Sequence, residues 1–555
     1  MSVNIPGLCS VVGFYLIILI TGIIAGRKTA KSGTKEDIIL ADRSMGVLLS
    51  FFTLTATNIG GGYINGTAES IAFDGLLWTQ APVCYCIAVT IAGVVYAPKV
   101  RKAGYVTMFD PFQLKYGRKV GALLFLPQML SDMFWAASVL AALGNTVAVI
   151  LNFDAMWSTI ISAAVVIVYT FLGGLYSVAY TDVIQLLFIA GGLYLVFPFT
   201  WTNDAVDLSR VSDTWLGTIP PNYIGMYMDI AFLLIMGGLP WQVYYQRVLA
   251  CKNYKIARNS TIMCAVFSFF LSLPPAFIGI AGAAADWNQT LYTGEVPLPE
   301  SRRSFVLPLA MQYLCPLPVS IIGIGAVSAA VMSSADSCIL ASASVFTKNI
   351  YCDIIRPKAS DREMVWLLRV SVIVVGSLAT LIACTANSVY GLFVLCSDLM
   401  YVILFPQFTL VLWFTQSNAY GCLAGYSVAF LLRVLGGEPL IGLPALLRFP
   451  LYDEAAGQLF PFRTFSMLCN CAVTISVSLL TNAMFFRGWV PAKYDKLNCL
   501  RQRTIEFLDK HELEPMADDT RVTAPEKGDH PEVARRAVKP GSLLTEERDG
   551  GNEKL

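Results

Sequence analysis

Ser333 and Ser334 stand side by side in the stretch Ala330-Val331-Met332-Ser333-Ser334-Ala335-Asp336-Ser337. On a helix, positions 330, 333, 334 and 337 share one face. Two adjacent hydroxyls can replace part of the hydration shell of a hard monovalent cation if free carbonyls complete the oxygen set. A broken helix supplies free carbonyls, and Thr55-Ala56-Thr57-Asn58-Ile59-Gly60-Gly61-Gly62-Tyr63 is a candidate, with Ala56 and Ile59 as donors of lone pairs. Serines inside membrane helices also bond back to their own backbone, so the spacing alone leaves both uses open. Asp182, Asp229, Asp336 and Asp398 fall within apolar runs or at their edges, where a carboxylate is costly and is a functional candidate for that reason. Asp182, following Gly173-Gly174, equally suits an interfacial position. Aromatic residues are plentiful, among them Tyr85, Trp135, Trp241, Tyr244, Tyr245 and Phe393. Trp241 directly follows a second break, Gly237-Gly238-Leu239-Pro240, and so faces any site built there. Aromatic walls attract a quaternary ammonium by roughly 0.5–2 kcal/mol per ring, and they also suit sugars or aromatic substrates.

Other chemistry is excluded by what is missing. The only histidines are His511 and His530, so residues 1–510 offer no histidine for acid–base catalysis, nucleophilic triads or metal ligation. The 14 cysteines include no C-x-x-C pair and lie mostly in apolar runs, as small buried hydrophobes do. A net charge of +1 without a basic patch argues against nucleic acid as a partner.

The elements that must position these residues follow from composition. Of 555 residues, 56% are hydrophobic and 14% charged, against about 25% charged in soluble proteins. Charge gathers from Arg487 onward. A bilayer-crossing helix needs about 20 mostly apolar residues, and thirteen runs qualify, beginning with 7–27, which is too long for a signal-peptide core. Alternating strands of the barrel type are absent, so the fold class is an all-α membrane protein with about 13 transmembrane helices. Lys and Arg crowd the loops after odd-numbered spans, which places those loops and the C-terminus in the cytoplasm and the N-terminus outside. The sequon at Asn288 then lies outside and is a glycosylation candidate, whereas those at Asn65 and Asn259 should go unused.

The two breaks fall in span 2 (45–66) and span 7 (224–246). Three successive glycines weaken a helix by about 1 kcal/mol each, and proline removes a backbone donor. Close helix packing would explain either break alone. Together they lie five spans apart, so spans 2–6 and 7–11 enter the membrane from opposite sides. That is an inverted repeat with its first helix broken in each half, the pattern of a secondary transporter with a midplane site. The expected organisation is an N-terminal helix and cytoplasmic loop at 1–44, a first five-helix repeat at 45–200, an extracellular loop at 201–223, a second repeat at 224–415, two further helices at 416–486 and a disordered cytoplasmic tail at 487–555.

Several blocks resemble one family. Gly61-Gly62-Tyr63-Ile64-Asn65-Gly66-Thr67-Ala68-Glu69, Gly104-Tyr105-Val106-Thr107-Met108, Gly173-Gly174-Leu175-Tyr176-Ser177-Val178-Ala179-Tyr180-Thr181-Asp182-Val183, Asp286-Trp287-Asn288-Gln289-Thr290 and Gly325 through Ser337 are similar to the choline-transporting members of the sodium:solute symporter family. The resemblance spans residues 10–490 and leaves out the tail. It implies a LeuT-like inverted repeat of five plus five helices, sodium-driven and chloride-dependent uptake of choline, and residence in the plasma membrane, including synaptic membranes and vesicles. It implies a sodium site at the carbonyls of Ala56, Ile59 and Ala330 and the hydroxyls of Ser333 and Ser334, with Asp182 close to the sodium path. The implied substrate cage is Tyr85, Trp135, Trp241 and Phe393, with Asn58 where those members carry tryptophan. Loss of that ring would weaken a cation–π cage by about 0.5–2 kcal/mol, which keeps open transport of another small organic solute or a non-transporting ligand sensor.

Overall fold

A computed structural model describes residues 5–29, 40–172, 175–386 and 388–497. Both histidines and the tail expected to be disordered lie outside the described residues. In order, the chain forms α1 (Ile5–Thr29), α2 (Val47–Asn58), α3 (Gly61–Asp74), α4 (Leu76–Lys102), α5 (Phe125–Leu151), α6 (Ala155–Leu172), α7 (Leu175–Trp201), α8 (Ile224–Gly237), α9 (Gln242–Ala250), α10 (Tyr254–Ala284), α11 (Leu317–Ile355), α12 (Asp361–Thr385), α13 (Val389–Trp413), α14 (Ala419–Leu435) and α15 (Phe462–Phe486). Nine of the described helices are long and apolar enough to cross a membrane, and the bent pair α2–α3 makes ten. Three shorter apolar helices, Gly7–Gly22, Ala155–Val168 and Ala419–Leu435, stand beside these, and a count of thirteen needs all three. The chain is a multi-pass, all-α membrane protein, with one short hairpin at Tyr452–Asp453 and Gly457–Gln458.

Both sequence breaks are real interruptions. α2 ends at Asn58; Ile59 and Gly60 take non-helical ψ values of 74° and 179°, and α3 restarts at a bend of 47°. Glycine is required here by close approach. A Cβ on Gly61 would stand 2.5 Å from the Ala142 Cβ, and one on Gly62 would stand 2.2 Å from the Ser138 Oγ. Bare backbone therefore lets α3 lie against α5. The second break interrupts the run Pro221–Ala250, where Trp241 is extended (φ −113°, ψ 114°) between α8 and α9.

The centre of the molecule is α5. Its apolar window is 83% buried, against 22% for the peripheral α15, and it packs on α3, α6, α11, α12 and α13. α10 covers α2, α3 and α4 from another side. α14 and α15 form an outlying pair. Their contact is built from small and polar residues: Gly421 and Gly425 face Ser478 and Thr474, while Gln407 of α13 donates to Asn470 and Thr474 at 2.8 and 2.7 Å. Three helices widen locally to π geometry: α4 at Ala92–Tyr96, α11 at Phe346–Ile355 and α13 at Met400–Leu404.

The α3–α5 contact gives a direct test. Gly62→Ala forces overpacking and should lower stability by about 1–3 kcal/mol, read as a lower unfolding temperature in detergent. Gly191→Ala, with nothing within 4 Å of its Cβ, should leave that temperature unchanged.

Candidate functional site

The break after α2 leaves carbonyls without helical partners, and α11 answers them from across the bundle. Ser334 Oγ donates to the carbonyls of Ala56 and Thr57, both at 3.2 Å. A Cβ on Gly60 would stand 2.8 Å from the same hydroxyl, so Ser334 sits against the unwound turn itself. One residue earlier, Ser333 donates to Asp182 of α7, and Thr53 of α2 donates to the other carboxylate oxygen. Ala56, Ile59, Ser333, Ser334 and Asp182 are all wholly buried, and Ala330 lies one helical turn before Ser334 in α11. The residues expected to carry the cation chemistry therefore meet at one junction of α2, α7 and α11. Asp182 is inside the protein, not at an interface.

The aromatic residues meet at a second junction, formed by α4, α5, the α8–α9 break and α13. Trp135 and Trp241 have ring centroids 4.7 Å apart, Trp135 and Phe393 5.3 Å, and Tyr85 and Phe393 5.8 Å. Tyr85 stacks on Trp135 at 6.4 Å, and Tyr63 joins from α3 at 6.2 Å from Tyr85. Such contacts contribute about 0.5–1.5 kcal/mol each beyond their area burial. The cavity among Tyr85, Ser131, Trp135, Gly238, Trp241 and Met400 measures only about 10 Å³, room for about one water. An organic cation requires these rings to part. Asn58 is buried, and its Nδ2 donates to Cys264 Sγ of α10 at 3.0 Å. A larger cavity of about 460 Å³, lined by Asp74, Trp78, Tyr223, Tyr390, Glu438 and Arg463, lies beside the first turns of α13, the turns that also carry Phe393. Tyr390 stacks 6.1 Å from Phe393, which separates the two spaces.

This arrangement coincides with a family match. The profile of the sodium:solute symporter family fits residues 38–428. The chain belongs to the sodium:solute symporter family. Among individual relatives, a Drosophila melanogaster protein named high-affinity choline transporter 1 is 48% identical over 502 residues, covering 90% of this chain and 82% of its own. A Homo sapiens protein of the same name is 42% identical over 528 residues, covering 92% and 91%. The fold is similar to that of a solved sodium-coupled sialic acid symporter, described as substrate-bound and outward-open. The TM-score is 0.70 at 16% identity, over 86% of this chain and 97% of that one.

The remaining acids of this symporter fall into different settings. Asp229 accepts from the backbone and hydroxyl of Thr464 at 2.7 and 2.6 Å, capping the start of α15. Asp398 is held by Arg433 and Arg463 at 2.8 and 3.0 Å, and Glu438 joins both arginines. Asp229 and Asp398 thus tie α8 and α13 to the α14–α15 pair, away from the serines. Asp336 is wholly buried, and its charge and that of Asp182 act on Arg247.

Four participants escaped the sequence reading. Arg247 is wholly buried in α9 and donates to Ser337 at 2.5 Å; it lies one residue beyond the predicted end of its span. Thr53 and Thr57 join Asp182 and Ser337 through hydroxyls that look like ordinary helix residues. Asp132 is wholly buried in α5 and touches Trp241 through the indole N–H at 3.3 Å. The rule that singles out other acids in apolar runs applies to it equally.

The structural and ion-facing acids should separate by experiment. Asp398→Asn leaves the buried Arg433 and the partly buried Arg463 short of charge, a loss of about 3–5 kcal/mol. It should lower the unfolding temperature while leaving the sodium concentration for half-maximal activity unchanged.

Proposed function

We propose that this chain is a sodium-coupled, chloride-dependent symporter that imports choline across the plasma membrane by alternating access. The observation that carries the reading is the seam between α2 and α11. A hydroxyl of α11 reaches the open carbonyls of a broken α2, and the next hydroxyl reaches Asp182. A sodium ion there would take its oxygen ligands from Ala56, Ile59, Ala330, Ser333 and Ser334, with Asp182 supplying negative charge beside it. The Ser334 hydroxyl would turn its proton away from the Ala56 and Thr57 carbonyls and offer its lone pairs to the ion, leaving those carbonyls free to ligate as well. Because the ligands come from both proposed repeats, 45–200 and 224–415, ion binding would favour the closed seam. Choline would bind among Tyr85, Trp135, Trp241 and Phe393, as the relatives named choline transporters suggest. The membrane potential contributes about 2.3 kcal/mol per positive charge per 100 mV to inward movement.

The orientation that fits this direction of transport has an extracellular N-terminus and a cytoplasmic tail. Asn288 is exposed beside α10, as an extracellular glycosylation site would need.

Radiolabelled choline should accumulate in cells expressing the chain in sodium chloride and fail to do so in lithium or N-methylglucamine; equal uptake in all three would overturn the reading. Ser333→Ala combined with Ser334→Ala should raise the sodium requirement by tenfold or more, since each lost ligand is worth about 1–2 kcal/mol. Unchanged sodium dependence would remove the ion from this seam.

The setting of Asn58 favours a second reading, transport of a different small organic solute or ligand sensing without turnover. Its Nδ2 donates to Cys264, and the rings of α2, Phe51 and Phe52, contact each other, with Phe51 also against Phe267. Asn58→Trp should then increase choline uptake relative to other amines by a factor of about two to thirty; no change would mean that position 58 does not meet substrate.

A further inference from the structure

Among the described residues, Asp132 differs from the other buried acids, which include Glu69 of α3. Asp398 and Asp229 have arginine partners, Glu69 has Arg303, and Asp182 and Asp336 act on Arg247. Asp132 has only neutral neighbours: Gln128 Nε2 at 2.8 Å and the Trp241 indole at 3.3 Å, both on Oδ1, with the Ser342 hydroxyl and the Cys338 thiol of α11 beside the carboxyl. Its Oδ2 has no hydrogen-bond partner among the described residues. No Lys or Arg among them forms an ion pair with it.

The surroundings are equally unsatisfied. Gln128, Ser131, Asp132 and Trp135 fall at i, i+3, i+4 and i+7 on one face of α5. Gln128 Oε1, Ser131 Oγ and Trp135 Nε1 also lack partners. Ser131 and Trp135 line the small cavity together with Tyr85 and Trp241. A carboxylate and several open polar atoms thus lie beside the aromatic cluster on the buried face of α5. An unpaired buried charge is strongly unfavourable unless something of opposite sign answers it. Aromatic faces alone attract a cation only modestly, and they hold a neutral group of the same shape by burial. They do not by themselves enforce charge.

We infer that Asp132 is the counter-charge for an organic cation bound at the Tyr85–Trp135–Trp241 cluster and is the residue that selects a charged substrate over a neutral one of the same shape. This rests on the cation-transport reading above. The Oδ1–indole bond fixes Trp241 and couples the carboxylate to a ring that lines the cavity. Asp132 is in this sense a specificity-determining residue with a positioning role toward Trp241.

The test uses choline and 3,3-dimethylbutan-1-ol, its neutral isostere with carbon in place of nitrogen. Asp132→Asn keeps an oxygen for the indole and removes the charge. Choline KM, or choline Kd from thermal shift of purified protein, should rise about thirtyfold or more. The inhibition constant of the neutral isostere should move less than about threefold. Asp132→Glu should recover part of the discrimination. Reading binding on purified protein as well as uptake covers a variant that folds but does not turn over. If both constants shift together in Asp132→Asn, or neither shifts, Asp132 is structural and the inference fails alone. If the wild type binds no choline, the choline reading fails, and this inference fails with it.

Discussion

Every backbone polar group inside a bilayer needs a partner within the protein, and the unwound turn at Ile59–Gly60 is where this chain departs from the simplest solution. Carbonyls freed from α2 would each cost several kcal/mol if left in hydrocarbon. They are answered by the Ser334 hydroxyl from α11, and the adjacent Ser333 and Thr53 answer the carboxylate of Asp182. Much of the architecture serves that arrangement. Glycines at 61 and 62 let α3 press against α5, α5 fixes α11, and α10 seals the other side. A defect in one helix is thus made tolerable by the packing of four others.

Charge is distributed by the same logic. Arginine is the common answer to a buried carboxylate here. Its planar fork reaches two acids at once, as Arg463 does with Asp398 and Glu438. These pairs gather where α8 and α13 meet α14 and α15, and they brace the frame. The carboxylates near the breaks are answered instead by hydroxyls, amides and one distant-reaching guanidinium. Hydroxyls can rotate and change partner at little cost, whereas a doubly bonded arginine cannot. The contrast divides scaffold from machinery without reference to any ligand.

Legibility from sequence followed the range of the forces involved. The helices, both breaks and the meeting of Ala56 with Ser333, Ser334 and Asp182 were readable, because hydropathy and glycine or proline chemistry are local and the family resemblance is dense in those blocks. The ring partners Tyr85, Trp135, Trp241 and Phe393 were also named and do come together. What sequence could not convey was rotation about the helix axis. That alone decides that Asn58 turns to Cys264, that Asp229 caps α15, and that Thr53 and Thr57 face inward. Arg247 was hidden by a boundary one residue short. Asp132 was hidden by nothing physical; a carboxylate in a run as apolar as α5 is its own signal.

The π-helical turns in α4, α11 and α13 carry a mechanical meaning. Two begin seven residues after a ring of the cluster, Ala92 after Tyr85 and Met400 after Phe393, and the third begins at Phe346, nine residues after Ser337. A π turn is one residue wound into a helix beyond its regular pitch, in effect a dislocation in an otherwise regular lattice. Moving such a dislocation by one step rotates the residues it passes by about 100° while nearly every backbone hydrogen bond is kept. Helices built this way can turn a ring toward or away from a neighbour without tilting as rigid rods. In α13 the dislocation lies against α15, whose Asn470 donates to the carbonyls of Val402 and Ile403, so a turn of Phe393 by this route would be transmitted to the α14–α15 pair.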